Sequence, residues 1–116
     1  MGTRSNQPAV PLRPPVFHIL LALSGGDMHG LGIAEEVERA SGGTVELGPG
    51  TLYRSLAEMA DAGLIRNAKA PGKGADPRRK HYSITAAGRA AVTAEALRLQ
   101  QLVSAARARN VIRDHV

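Results

Sequence analysis

Apolar positions along this chain recur at helical spacing in four stretches, with a short strand-like passage between the third and the fourth. Val16, Ile19, Leu20 and Leu23 repeat at intervals of three and four, which predicts one buried helix face. Pro14-Pro15 opens that helix, because proline fits a first turn, and Ser24-Gly25-Gly26 ends it. A second helix is predicted from about Met28 or Gly30 to Ala40, with Leu31, Ile33, Ala34 and Val37 inward and Glu35, Glu36, Glu38 and Arg39 in solvent. Ser41-Gly42-Gly43 stops it, and residues 44–47 form a short extended lead. In the third helix Leu52, Leu56 and Met59 make the stripe. Pro49 takes its first position, Gly48 is a weak N-cap and Gly63 is the C-cap.

Residues 64–68 and 79–85 then read as two strands joined by a Gly/Pro-rich tip, residues 71–77. Tyr82 and Ile84 fall on one face of the returning strand, and Lys80 and His81 bracket its polar side. Thr85 caps a last helix running from Ala86 to roughly Asn110, about 25 residues or near 37 Å long. Val92, Leu99, Leu102, Val103 and Ala106 form an apolar stripe there at close to heptad spacing. So long a helix cannot cover its stripe against so small a domain. A homodimer in which equivalent helices cover each other solves the problem; the alternative is a helix folded back on its own core. Residues 1–13 are polar and punctuated by proline, which predicts a flexible arm. The expected organisation is thus an arm over 1–13, a compact unit over 14–85 and a dimerisation helix over 86–116.

At 116 residues the chain suits one small domain. Aromatics are only 3% against 43% apolar residues overall, so the core must be aliphatic. The absence of cysteine excludes disulfides, thiolate zinc sites and cysteine nucleophiles. The longest aliphatic run, residues 19–23, is far short of the ~20 residues a membrane span needs. The N-terminus lacks the apolar segment of a signal peptide, so the expected location is the cytoplasm. Enzyme chemistry finds no support either. His18, His29, His81 and His115 fall in separate elements, and no serine has a nucleophile-elbow context. No cofactor or metal is expected.

Charge is uneven. Residues 1–63 carry four Lys/Arg against seven Asp/Glu, residues 64–83 six against one, and residues 84–116 five against two. The positive excess of the middle segment sits on the predicted hairpin, and a polyanion is its natural partner. A short helix with a free polar face, followed by a basic hairpin, is the pattern of a winged helix-turn-helix. The fold class is therefore mainly α with a small β-hairpin wing, completed by a long C-terminal dimerisation helix, and the expected partner is double-stranded DNA. In such a fold the third helix enters the major groove with its first residues nearest the bases. That places Pro49, Gly50, Thr51, Tyr53, Arg54 and Ser55 at the DNA, and Arg54 can reach guanine O6 and N7 with two hydrogen bonds. Lys73, Arg78, Arg79, Lys80 and His81 of the hairpin would grip phosphates or enter the minor groove. Glu58, one turn later, would oppose DNA unless the helix tilt carries it clear.

Two other readings compete. One is a winged helix that docks on a protein, which the negative first half permits. The other is an RNA-binding winged helix, which lacks the exposed aromatics that stack unpaired bases.

Gly50-Thr51-Leu52-Tyr53-Arg54-Ser55-Leu56, then Leu64-Ile65, His29-Gly30-Leu31 and Arg79-Lys80-His81-Tyr82-Ser83-Ile84-Thr85-Ala86-Ala87-Gly88 together resemble the PadR-type transcriptional regulators over about residues 15–105. The resemblance implies a dimeric repressor on a palindromic operator, released by a small molecule or another signal. His81 departs from the family's usual second tyrosine, with altered wing contacts or a mild pH sensitivity as the consequence. The chain resembles the short subfamily that lacks an extra C-terminal domain, so an effector would bind near the dimer interface. The absence of tryptophan argues there against a stacking platform for flat aromatic ligands.

Overall fold

The computed structural model describes residues 10–69 and 79–113. In chain order the elements are α1 (Pro14–Leu23), β1 (Met28–His29), α2 (Gly30–Ala40), α3 (Pro49–Asp61), β2 (Ile65–Ala68), β3 (His81–Ile84) and α4 (Ala86–Ala108). The strands form one antiparallel sheet of order β1-β3-β2, with β3 central. The four helices agree with the sequence periodicity. The third strand was not foreseen, because two residues, Met28 and His29, are too few to show an alternating pattern.

Local chemistry sets the boundaries. Pro14 starts α1 and Pro49 starts α3, each at a position whose N–H has no helical acceptor in any case. Gly63, at φ +79°, ends α3 in the left-handed conformation that glycine adopts without strain. Its N–H donates to the Ala60 carbonyl at 3.1 Å, and the Leu64 N–H donates to the Met59 carbonyl at 2.9 Å. That double closure turns the chain directly into β2. Thr85 then ties the two ends of the hairpin together. Its hydroxyl donates to the Gly63 carbonyl at 2.7 Å and accepts the Gly88 N–H at 3.0 Å, capping α4. Gly88 lies so close to this junction that any Cβ would collide with the Leu64 carbonyl oxygen.

The core lies where α1 meets the other helices and the sheet. Ile19, Leu20, Leu23, Ile33, Val37, Leu56 and Met59 are its most deeply buried side chains, each contributing roughly 1.5–3 kcal/mol by burial. Three expectations need correction. Leu31 is 52% exposed rather than inward, since in the first turn of α2 it lines the open groove shared with α3 and the hairpin. Val92, expected at a subunit contact, is 7% exposed and packs in the chain's own core, because the first turns of α4 lie against α1 and β3. Leu12 and Arg13, expected in a free arm, are docked: Leu12 packs on the core and Arg13 pairs with Glu58 at 2.8 Å. Residues 1–9 of the expected arm lie outside the described residues.

α4 is 23 residues long. The face that buries Gly88, Ala91, Val92 and Glu95 continues at about 100° per residue into Leu99, Leu102, Val103 and Ala106. Leu102 is 54% and Val103 38% exposed, while Leu99 and Ala106 are half-buried. One continuous stripe is thus covered by the chain's own core in its first half and left open in its second.

Candidate nucleic-acid interface

α3 presents two unlike faces. Leu52, Ser55, Leu56 and Met59 are buried, which fixes the rotation of the helix. Tyr53, Arg54, Ala57, Glu58, Ala60 and Asp61 are then forced outward. Pro49 and Gly50 at the helix start are exposed and Thr51 is half-buried. No side chain caps this terminus, so the Gly50 and Thr51 amides keep their partial positive charge toward solvent. Ser55 does not belong to the outward set. It stands three residues after Leu52 and four before Met59, on the buried stripe, and is 3% exposed. The spacing itself held that answer.

Glu58 is turned to the α1 side of the helix, where the Arg13 guanidinium donates to its carboxylate at 2.8 Å. Both partners are more than half exposed, so the pair adds at most about 1 kcal/mol to stability. Its effect is on the field: the Glu58 carboxylate is paired with a cation of its own chain.

Between α3, the start of α2 and the hairpin runs an open groove of about 910 Å³. Tyr53, Arg79, Lys80, Asn67 and His29 are among its lining residues. Tyr53 lies over Gly30, which has no side chain to obstruct it. Tyr82 forms part of the floor, and burial pushes its phenol above the usual range, with the nearby Tyr53 adding to the shift. At the far end Asp61 brings a carboxylate.

Of the basic residues expected on the hairpin, Arg79 and Lys80 are exposed and border this groove. Lys73 and Arg78 lie outside the described residues. His81 is a correction: it is 5% exposed rather than on a polar outer side. The cause is the unforeseen β1, which pairs with β3 in the register His29 opposite His81. The two rings meet edge to face at 5.5 Å, and His81 Nδ1 lies 3.3 Å from the Arg79 carbonyl oxygen. His81 thus contacts the two groove residues His29 and Arg79 from within the sheet.

His29 is the residue that sequence reasoning missed. It caps the start of α2: its Nδ1 accepts the Gly32 N–H at 3.1 Å. Its other nitrogen, Nε2, lies 3.0 Å from Arg79 Nη1. No local signal could have joined residues fifty positions apart; the His-Gly pair before a helix was the only hint.

Among the described residues no group of three or more metal-binding side chains occurs. No described helix is long and apolar enough to cross a membrane.

Residues 19–94 match the Transcriptional regulator PadR-like family. The chain is similar to an uncharacterized 37.1 kDa protein in transposon TN4556 of Streptomyces fradiae, 34% identical over 84 residues. That match covers 72% of this chain and 22% of the Streptomyces protein, so the chain spans about a fifth of its relative's length. Its fold is similar to that of a PadR family transcription regulator from Clostridium difficile, with a TM-score of 0.69 and 22% identity over 80% of this chain and 94% of that one. It is also similar to Bacillus subtilis PadR in complex with operator DNA, with a TM-score of 0.61 and 23% identity over 72% of this chain and 46% of that one. At these identities the likeness to the two solved structures is one of fold.

Proposed function

The chain belongs to the PadR-like family of transcriptional regulators, and from that premise we propose that it is a sequence-specific repressor acting on double-stranded DNA as a homodimer. The observation that carries this reading is the fixed rotation of α3. With Leu52, Leu56 and Met59 locked in the core, Arg54 and Tyr53 have no direction but outward, and Tyr53 shares its groove with Arg79 and Lys80. In the major groove Arg54 would read a guanine, while Thr51, Tyr53 and the open amides at Gly50 would hold the backbone. The hairpin residues Lys73, Arg78, Arg79 and Lys80 would supply phosphate contacts that do not depend on sequence.

The open half of the α4 stripe supports the dimer. Leu99, Leu102, Val103 and Ala106 of one copy would cover the same residues of the other about a two-fold axis. A two-fold dimer reads a palindromic operator, with one recognition helix in each half-site. A small-molecule effector, of unknown identity, would act where α4 meets its partner and change the spacing of the two recognition helices. The work would be done in the cytoplasm, without a cofactor.

Fluorescence anisotropy of the purified protein with its own upstream DNA and a scrambled duplex tests the reading. Preference for the upstream site by about a hundredfold or more, within the range of specific over non-specific binding, supports a specific regulator. Two hairpins with about three phosphate contacts each predict a salt slope of roughly −5. Equal, weak and salt-insensitive binding to both duplexes would instead favour docking on a protein.

A further inference from the structure

A neutral imidazole has one bare nitrogen, and His29 is asked for two. Its Nδ1 accepts the Gly32 N–H at 3.1 Å, which caps α2. The ring proton must then sit on Nε2, yet Nε2 lies 3.0 Å from Arg79 Nη1, and a guanidinium offers only donors. With the other tautomer the Arg79 contact is satisfied, but Nδ1–H faces the Gly32 N–H and the cap is lost. A protonated ring faces donors on both sides. Every state of the ring leaves a donor pointed at a donor.

Among the described residues, no hydrogen bond brings an acceptor to this pair on its groove side. We propose that the acceptor is a non-bridging oxygen of a duplex phosphate, held between His29 Nε2–H and the Arg79 guanidinium. This rests on the DNA-binding reading and adds to it a contact from outside the recognition helix and the hairpin tip. Three features of the groove favour the assignment. Both donors border it, and it is partly open to solvent, so an extended polyanion can reach them from outside. Tyr53 brings a third donor to the same end, since its hydroxyl lies over Gly30, the residue after His29. Lys80 adds positive charge, while the carboxylate of Asp61 stands eight residues along α3 from Tyr53, about 12 Å down the axis. The phosphate therefore seats at the His29 end. Its charge attracts both donors, and the helix cap keeps His29 in the one tautomer that can donate to it.

The test is a double-variant cycle on duplex binding, read by anisotropy at several salt concentrations. His29→Asn keeps a cap, because an asparagine oxygen accepts the same N–H, but removes the Nε2 donor. Arg79→Gln removes the charge at an exposed position. Arg79→Gln is expected to flatten the salt slope by about 0.9 for each protomer bound. His29→Asn should weaken binding roughly tenfold for each protomer bound, as for a hydrogen bond to a charged acceptor, with the slope nearly unchanged. Since both donors serve one phosphate, the double variant should lose less than the product of the single losses.

Duplex binding by the unchanged protein, with His29→Asn binding as tightly, overturns the inference and leaves the DNA reading standing. No duplex binding by the unchanged protein overturns both. Inorganic phosphate, added alone and followed by the NMR shifts of the His29 ring, separates the remaining source. Saturable shifts together with duplex binding insensitive to His29→Asn would assign the site to a free anion and overturn the duplex assignment. Should His29→Asn fail to fold, an unaltered salt slope in Arg79→Gln overturns the inference by itself.

Discussion

Gly30 lies directly beneath Tyr53: a Cβ at position 30 would stand 2.6 Å from the Tyr53 hydroxyl oxygen. The glycine is buried, while the tyrosine is 53% exposed and free to swing out. Gly30→Ala is therefore expected to displace the ring rather than disturb the core. Its melting temperature should stay close to that of the unchanged protein, with a stability change within about 1 kcal/mol. Duplex affinity should fall several-fold, consistent with one lost hydrogen bond of about 0.5–1.5 kcal/mol. A large loss of stability in a thermal melt would show that Tyr53 is part of the fold and not of the interface.

Arg54 is exposed and opposite the buried stripe of α3. Arg54→Ala should leave the melting temperature unaltered and weaken operator binding by roughly 1–3 kcal/mol for each half-site. Binding to a scrambled duplex should change far less. Equal loss on both duplexes, measured side by side, would make Arg54 a phosphate contact instead of a base reader.

Glu95 is 3% exposed, on the covered half of α4. Hydrogen bonds of 2.9 and 2.8 Å from Arg98 hold its carboxylate below the usual range; burial works against them, and the Leu12 backbone N–H adds to them. A carboxylate with a lowered folded-state value stabilises the fold above the ordinary value of 4.5. That contribution is lost as pH falls through the lowered value. The unchanged protein should thus lose melting temperature more steeply than Glu95→Gln as pH falls below 4.5 and through the lowered value. At neutral pH the variant should be the less stable of the two. Parallel curves would remove the Arg98 pair from the account of acid stability.

The elements whose causes are local could be read from the chain. Gly63, Thr85, Pro14 and Pro49 mark their boundaries by their own backbone chemistry, and the α3 stripe fixes the direction of Arg54 whatever surrounds it. What escaped was set by pairing over distance. The two residues of β1 carry no period, yet they bury His81 and bring His29 to Arg79. The same hydrophobic stripe runs the length of α4, and its sequence does not say where the chain's own core ends. Val92 shares the period of the open stripe and yet lies on the core side of that limit.

The limit can be tested where it matters for assembly. Beyond Glu95 the stripe reaches Leu102, which is 54% exposed. If a second copy covers it, Leu102→Arg places a charge in the centre of an apolar helix seam, where it meets its own symmetry mate. The variant should fold with nearly the same melting temperature at high dilution but sediment as a single chain. Its DNA binding should change in a characteristic way. Each released protomer keeps its own Arg54 and hairpin, so binding to one half-site persists with about half the salt slope. The advantage of linking two half-sites, on the order of a hundredfold or more, is lost. A variant that sediments like the unchanged protein would exclude Leu102 from the seam. One that is monomeric and still binds the full operator with the original affinity would separate dimerisation from operator recognition.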